Sequence, residues 1–241
     1  MQNALELQNI HVTVAGTEVV RGVSLRIPEG RVVALMGPNG SGKSSLVNAI
    51  MGHPRYTITE GRILLNDEDI THLPVHEKAR KGMFLSLQHP PTLPGVSVSS
   101  FLRNALSSLT DKAVPVLEFQ KRLEEEMARL GMENGMALRH VNEGFSGGEQ
   151  KRLEALQLAL FQPKFALLDE TDAGLDVDAL RTVAETIRRA SDKMGILLIT
   201  HYTRILQYIK PDEVHVMKDG VIVRSGGKEL AEEIEKNGYK M

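Results

Sequence analysis

Apolar and polar residues alternate through residues 4–36 with the period of two that is typical of β-strands with one buried face. Turn signals such as Ala15-Gly16 divide this stretch into several short strands. Further strands are predicted at residues 61–65 and, because they are nearly unbroken apolar runs, at residues 32–36 and 82–87.

The pattern changes after residue 88. Residues 89–94 include three prolines, which exclude a helix or an inner strand because each proline lacks an N–H donor and fixes its own φ. Residues 98–130 then carry apolar side chains at helical spacing, and one predicted stripe consists of Val116, Phe119, Leu123, Met127 and Leu130. The glutamates at 124–126 lie opposite this stripe. We interpret them as a solvated helix face, with an interaction site as the alternative.

Sheet character returns in the last third of the chain. Buried strands are predicted at residues 165–168 and 195–200, a helix at 180–190, and a hairpin at 214–223 that turns at Asp219-Gly220. The whole pattern predicts one α/β domain over residues 1–241, with its core at 1–88 and 161–241 and a helical subdomain at about 89–160.

Composition narrows the class of protein. The chain has 241 residues, 41% of them hydrophobic and 25% charged, which is ordinary for a soluble globular protein. A net charge of −2 and the lack of a basic tract argue against binding to nucleic acid. Because the chain has no cysteine, it has neither a thiol nucleophile nor a thiolate-held metal cluster. With no signal-peptide pattern and no long apolar stretch, we expect a cytoplasmic protein without direct membrane insertion.

The most informative motif follows the predicted strand at 32–36. Residues 37–44 fit G-x-x-x-x-G-K-[ST], the phosphate-binding loop of nucleotide-hydrolysing proteins, and the strand before it and the apolar helical run after it argue against a chance match. Glycines let backbone N–H groups turn towards a polyphosphate, Lys43 adds a positive charge, and the Ser44 hydroxyl can ligate Mg²⁺. The predicted ATP-binding residues are Gly37, Asn39, Gly40, Ser41, Gly42, Lys43, Ser44 and Ser45.

Two other buried strands also end in polar residues. Asp169-Glu170 follows one, and His201 follows the other. Ligands of open α/β sheets bind at the carboxyl ends of strands, so we expect one shared crevice. There Asp169 would hold Mg²⁺ and Glu170 would polarise the attacking water. The alternatives are acidic first-turn residues of a helix for the carboxylates, and a structural histidine for His201.

A second glycine motif lies in the predicted helical region. Ser146-Gly-Gly-Glu149 has the spacing of a capping box at a helix start. Gly147 and Gly148 would allow close backbone approach to the free N–H groups there, so the motif predicts a second anion site. A well-capped helix without a ligand is the alternative.

In combination, these motifs resemble those of ABC-type ATPases. The glycine loop, Gln88, the Ser-Gly-Gly signature, Asp169-Glu170, Gly174-Leu-Asp176 and His201 occur in that family's order along nearly the whole chain. The resemblance implies a P-loop α/β core, an N-terminal antiparallel β subdomain and an inserted helical subdomain. It also implies ATP-dependent dimerisation, in which Ser146, Gly147, Gly148 and Asp176 contact the ATP of the other subunit. Glu170, His201 and Gln88 would be catalytic, and Ser44, Gln88 and Asp169 would hold Mg²⁺.

Finer details resemble the SufC-type ATPase subunits of the Suf iron–sulfur cluster assembly system. These details are Phe145 before the signature serine, residues 171–176 after the catalytic glutamate, and residues 94–97 soon after Gln88. The implied partners are Suf-type scaffold proteins that carry the cluster ligands. Transporters have glutamine where this chain has Glu149, and ABC proteins usually have an aromatic ring near Val14 to stack on adenine.

The sequence thus favours an ATPase that drives conformational change in an iron–sulfur scaffold complex. The nucleotide-binding subunit of a membrane transporter is the main alternative. A structural protein that closes on ATP without turnover is a third possibility, against which Glu170 and His201 argue. The chain lacks the long heptads and cysteines of the DNA-repair ATPases in this superfamily.

Overall fold

The computed structural model describes residues 3–88, 90–200 and 204–239. The strands in these ranges are β1 (Ala4–Val14), β2 (Thr17–Pro28), β3 (Val32–Met36), β4 (Thr57–Leu65), β5 (Glu68–Asp69), β6 (Met83–Ser86), β7 (Leu93–Ser97), β8 (His140–Val141), β9 (Phe165–Asp169), β10 (Gly195–Ile199), β11 (Glu213–Lys218) and β12 (Val221–Gly226). The α-helices are α1 (Lys43–Met51), α2 (Val75–Arg80), α3 (Val98–Thr110), α4 (Val116–Arg129), α5 (Gly147–Phe161), α6 (Val177–Ser191) and α7 (Lys228–Asn237).

A six-stranded sheet forms the centre, in the order β12-β11-β3-β10-β9-β6. All neighbours in it are parallel except β11 and β12, which form the predicted hairpin. Ile199 of β10 is paired with Leu35 of β3 on one side and with Asp169 of β9 on the other, and Leu168 is paired with Ser86 of β6. The carboxyl ends of these strands therefore lie level, as the sequence predicted.

A second, antiparallel sheet has the order β2-β1-β4-β5. Its β1–β4 pairing shifts register between Gln8 and His11. At this shift a Cβ on Gly61 would lie 2.2 Å from the backbone oxygen of Asn9, so only glycine fits. This sheet is the N-terminal antiparallel unit that the resemblance implied.

Two apolar cores lie on opposite faces of the central sheet. Ile196 and Leu198 of β10 belong to the core that the helices α3–α6 cover. Leu197 and Ile199 belong to the core under α1 and the antiparallel sheet. Since successive strand residues point to opposite faces, the unbroken apolar run of β10 fills both cores. Because β10 is buried on both faces, the polar residues that follow it come at the carboxyl edge of the sheet.

Between β6 and β9 the chain is mostly helical. Phe119, Leu123 and Met127 of α4 are buried as predicted, but Val116 is 55% exposed because it lies at the first position of the helix. The prediction that Glu126 is solvated was also wrong, since its half-buried carboxylate is paired with Arg129 and Arg189. None of the helices in the three described ranges is long and apolar enough to cross a membrane.

Candidate functional site

The predicted phosphate loop connects β3 to α1 and has the conformation that only glycine adopts easily. Gly37, Gly40 and Gly42 have φ values of 152°, 78° and 104°. A Cβ on Gly37 would lie 2.1 Å from the backbone oxygen of Met217, and one on Gly42 would lie 2.6 Å from that of Val19. The loop therefore cannot carry side chains at these two positions, both for conformation and for space.

Helix α1 begins directly at this loop, and no side chain caps its N-terminus. The first-turn amides of Ser44 and Ser45 are therefore free of a competing side-chain acceptor. Such a helix start favours anions through both its N–H groups and its dipole. The loop and helix together form an anion site.

Lys43 lies across this loop. Its Nζ donates to the carbonyl oxygens of Gly37 and Pro38, at 2.9 Å each, and to Ser41 Oγ at 3.1 Å. Burial lowers the pKa of Lys43 to about 8, and the charges of Glu170 and Asp169 oppose this shift. Phosphate oxygens would replace these neutral carbonyls as better acceptors for the ammonium group.

Asp169 and Ser44 meet next to the loop. Ser44 Oγ donates to Asp169 Oδ1 at 3.2 Å, and Asp169 is buried. Burial raises the pKa of the Asp169 carboxyl, the Ser44 bond opposes the rise, and the Glu170 charge adds to it. A hydroxyl and a carboxylate are the oxygen ligands that Mg²⁺ prefers, and a cation would relieve the buried charge. These residues therefore fit a magnesium site.

Glu170 and Gln88 are joined across the same edge of the sheet. Gln88 Nε2 donates to Glu170 Oε2 at 2.6 Å, although 82 residues separate them in the chain. The Glu170 backbone has a φ of 50°, a left-handed conformation that is costly for a side chain with a Cβ, and its amide donates to Ile199 O. The strained turn and the amide of Gln88 together hold the carboxylate at the crevice.

The predicted capping box at the start of α5 is confirmed. Ser146 Oγ accepts from the amide of Glu149 at 3.3 Å, and Glu149 Oε2 accepts from the amide of Ser146 at 2.7 Å. Arg139 donates to the other carboxylate oxygen of Glu149 and stacks 4.3 Å above the Phe145 ring. The hydrogen bond from the Ser146 amide, followed by contacts with Arg139, holds the pKa of Glu149 below its usual range. Ser146 and Gly147 themselves remain exposed.

Two further predicted site residues, Asp176 and His201, are not among the groups described so far. Asp176 caps α6, with Oδ1 accepting from the Ala179 amide at 2.7 Å, so its carboxylate already has a partner in its own chain. Its predicted contact with a second subunit stays a prediction. His201 lies outside the described residues. Thr200, just before it, is buried and donates to Asp172 at 2.9 Å.

Sequence reasoning missed a buried polar cluster between α5 and β6. Lys151 Nζ donates to Glu154 Oε2 at 3.0 Å, and Ser86 Oγ donates to the same oxygen at 2.8 Å. The only sequence signal was an opposite-charge pair at i and i+3 in a predicted helix, which normally marks a solvated face.

An apolar groove of about 840 Å³ runs along strand β6. Among the described residues that line it there is no Asp or Glu, whereas Arg80, Lys81 and Lys164 contribute positive charge. Its apolar lining includes Met51, Val75, Phe84, Leu85, Leu87, Leu109 and Phe161. Strand β6, which ends two residues before Gln88, provides part of this lining.

Comparison with known proteins agrees with this geometry. Residues 20–173 match the family model described as ABC transporter. The chain is 51% identical over 240 residues to a "Probable ABC transporter ATP-binding protein" of Streptococcus pyogenes, covering 98% of this chain and 93% of the relative. It is 47% identical to the "Probable ATP-dependent transporter ycf16" of Cyanophora paradoxa, covering 98% of this chain and 93% of that protein.

Solved structures show the same fold. A nucleotide-free ATP-binding cassette from an ABC transporter superposes with a TM-score of 0.77 at 25% identity, covering 98% of this chain and 96% of that one. A dimeric post-hydrolysis form of the cassette MJ0796, bound to ADP and Pi, superposes with a TM-score of 0.82 at 23% identity, covering 93% of this chain and 98% of that one. From its motifs, its fold and these relatives, the chain belongs to the ABC transporter family, as an ATP-binding subunit.

Proposed function

We propose that this ABC subunit hydrolyses ATP to drive conformational change in a Suf-type iron–sulfur cluster assembly scaffold complex. The observation that carries the hydrolytic part is the hydrogen bond between Gln88 and Glu170 beside the phosphate loop. It holds a carboxylate at the edge where the γ-phosphate of a loop-bound nucleotide would end. The iron–sulfur part rests on Phe145 and residues 171–176, which resemble Suf-type subunits.

ATP binding follows from the loop. The backbone N–H groups between Gly37 and Ser45 surround the β-phosphate, and Lys43 exchanges its contacts with carbonyl oxygens for phosphate oxygens. Ser44, Asp169 and Gln88 would hold Mg²⁺, which would neutralise charge on the phosphate oxygens.

In the proposed mechanism Glu170 is the general base. Its carboxylate takes a proton from the water that attacks the γ-phosphate, while Gln88 keeps the carboxylate and the water in line. His201 is the residue that steadies the γ-phosphate in this proposal. The bond between phosphorus and the bridging oxygen then breaks, and ADP leaves with that oxygen.

The complete site needs two subunits. In this proposal Ser146, Gly147, Gly148 and Asp176 contact the ATP of the other subunit, and the N–H groups of Gly147 and Gly148 face it. The exposure of Ser146 and Gly147 supports this role, because a ligand can reach this helix start although the capping box occupies the amides of Ser146 and Glu149. The dimeric MJ0796 cassette is a precedent for pairing within the fold.

The docking surface for the scaffold extends from residues 88–101 into the adjacent groove. An apolar lining with a positive rim fits an amphipathic helix that carries acidic residues at its edges. Because β6 lines the groove and leads into Gln88, a bound helix lies next to the residue that senses nucleotide.

Purification of the untagged native complex tests the proposal. We expect a soluble, cysteine-containing scaffold protein to co-purify, with visible absorbance from a bound iron–sulfur cluster. Glu170→Gln protein serves as the matched sample, because it should retain the partner while losing turnover. Recovery of the chain only with an integral membrane protein, from detergent-solubilised membranes, would contradict the scaffold assignment.

The alternative is the nucleotide-binding subunit of a membrane transporter. The names of the Streptococcus and Cyanophora relatives favour it, since both contain the word transporter. ATP binding and hydrolysis at the site are the same in both cases. Only the identity of the partner separates the two proposals.

A further inference from the structure

The buried polar cluster of Lys151, Glu154 and Ser86 lies between the helical region and the central sheet. All three residues are buried, with exposures of 6%, 5% and 2%. Glu154 Oε2 accepts from Ser86 Oγ at 2.8 Å and from Lys151 Nζ at 3.0 Å, and Lys151 also reaches the carbonyl oxygen of Leu87 at 3.5 Å. The cluster therefore ties helix α5 to the last two residues before Gln88.

Stability alone is a poor reason for this arrangement. A buried ion pair is often no more stabilising than apolar residues of the same volume, because both charges lose their hydration. The second carboxylate oxygen of Glu154 is buried without a hydrogen-bond partner, and burial raises the pKa of this carboxyl. Such a partly satisfied group needs another explanation.

The position of the cluster supplies that explanation. Ser86 is the last residue of β6, two residues before Gln88. Lys151 and Glu154 lie in the first two turns of α5, which starts immediately after Ser146. A helix rises about 1.5 Å per residue, so the rigid segment from Ser146 to Glu154 spans about 12 Å. One end of this segment is the signature serine, and the other is bonded to the Gln88 strand.

We propose that Lys151, Glu154 and Ser86 act as a strut that transmits movement of Gln88 to Ser146. The three residues position other groups and touch no substrate themselves. This inference rests on the proposed function, in which Gln88 senses the γ-phosphate of its own subunit and Ser146 contacts the ATP of the other. Directional hydrogen bonds resist sliding between helix and strand, whereas apolar contacts would allow it.

The test uses distance rather than hydrolysis. Because the chain has no cysteine, Leu117→Cys on α4 and Glu235→Cys on α7 provide two exposed sites for fluorescent labels. Energy transfer is measured with and without Mg²⁺ and a non-hydrolysable ATP analogue. The comparison is between the labelled parent and a variant with Ser86→Ala, Lys151→Met and Glu154→Leu, which removes the polar cluster at similar volume.

We expect the parent to change its transfer efficiency on binding the analogue. The triple variant should bind the analogue within about twofold of the parent, yet lose at least half of that change. Leu158→Val, elsewhere in the buried part of α5, is the matched control and should keep the full change. If the triple variant does not fold, Ser86→Ala alone should still reduce the change, since it removes one bond of the strut.

Two results would overturn the strut. The first is a triple variant that keeps the parent's full change in transfer efficiency; if the triple variant does not fold, the same result in folded Ser86→Ala protein counts instead. The second is a parent whose transfer efficiency does not change at saturating analogue. Failure of the proposed function would be seen separately, as absence of ATP turnover in the unlabelled native protein.

Discussion

Gln88 Nε2 donates a 2.6 Å hydrogen bond to Glu170 Oε2. Gln88 follows β6 and Glu170 follows β9, so this bond joins the ends of the two strands. The level register of these strands makes the contact possible, because Leu168 and Ser86 are directly paired. This hydrogen bond therefore fixes the orientation of the Glu170 carboxylate. In the proposed mechanism, preorganisation of this kind lowers the cost of aligning Glu170 as the base.

Removing the carboxylate should separate binding from turnover. Glu170→Gln keeps the size of the side chain but cannot accept a proton, so ATP turnover should fall by at least about 100-fold while ATP binding is retained. Gln88→Ala keeps the proposed base but removes its hydrogen bond to Gln88, which should lower turnover about tenfold, equivalent to about 1.4 kcal/mol of barrier. Steady-state phosphate release and equilibrium binding of ATP measure the two effects. Unchanged turnover in Glu170→Gln would remove it from the mechanism.

Much of this site could be predicted from the sequence because its parts are local. The phosphate loop depends on glycines within eight residues, and the capping box on Ser146 and Glu149, so each motif specifies its own backbone. Unbroken apolar strands predicted a parallel sheet, and a parallel sheet brings carboxyl ends together. The meeting of Asp169-Glu170 with the phosphate loop then followed from topology, whereas the contact between Gln88 and Glu170 was not predicted.

What the sequence did not show depends on distant contacts. Helix α2 was not predicted, because it has only six residues and its Lys78 is fully buried where the pattern indicates a surface residue. Helix α7 is mostly charged and also went unpredicted. The bond from Ser86 to Glu154 joins positions 68 residues apart, and no local pattern encodes that distance.

The buried Lys78 should make the free energy of unfolding depend on pH in the alkaline range. Its Nζ donates to Ile50 O at 2.7 Å and Thr71 O at 3.2 Å, and burial lowers its pKa to about 8 from 10.5, opposed by the charge of Asp69. Between these values the unfolded chain binds the extra proton, so the contribution of Lys78 to stability rises with pH, by up to about 1.4 kcal/mol per pH unit.

Urea unfolding between pH 8 and pH 10.5 measures this contribution. Lys78→Met should remove about one proton's worth of the slope of unfolding free energy against pH. Lys81→Met is the matched control, because that neighbouring lysine lies at the surface and is paired with Glu68. Equal slopes in the parent and Lys78→Met would mean that folding does not lower the pKa of Lys78.

Val14 should limit the discrimination between nucleotide bases. It is a half-buried aliphatic residue at the end of β1, where the family usually has a ring for adenine. Stacking of a base on an aromatic side chain contributes about 1–3 kcal/mol, so the parent should prefer ATP to GTP only modestly. Val14→Tyr should tighten ATP binding by about tenfold. A hundredfold preference for ATP in the parent would show that another residue stacks on the base.

Sharing of the ATP site between subunits can be tested by mixing two inactive variants. Ser146→Arg blocks the signature serine, and Lys43→Ala removes the ammonium from the phosphate loop. A mixed dimer has one composite site in which both residues are intact, so ATPase activity should reappear on mixing. Each variant alone should stay inactive. Mixed dimers that form but remain inactive would argue that Ser146 does not serve the partner's nucleotide.

The last prediction concerns the groove. Lys164→Glu reverses a charge on its rim, and a partner helix with acidic edges should then bind about tenfold more weakly, since like charges at a binding surface repel. Basal ATPase activity should be unchanged, because Lys164 touches none of the proposed catalytic residues. Lys193→Glu, an exposed reversal outside the groove, controls for net charge. Affinity is measured by titrating the co-purified partner against each labelled variant. Equal losses in both variants would indicate long-range charge rather than docking, and no loss in Lys164→Glu would place the partner elsewhere.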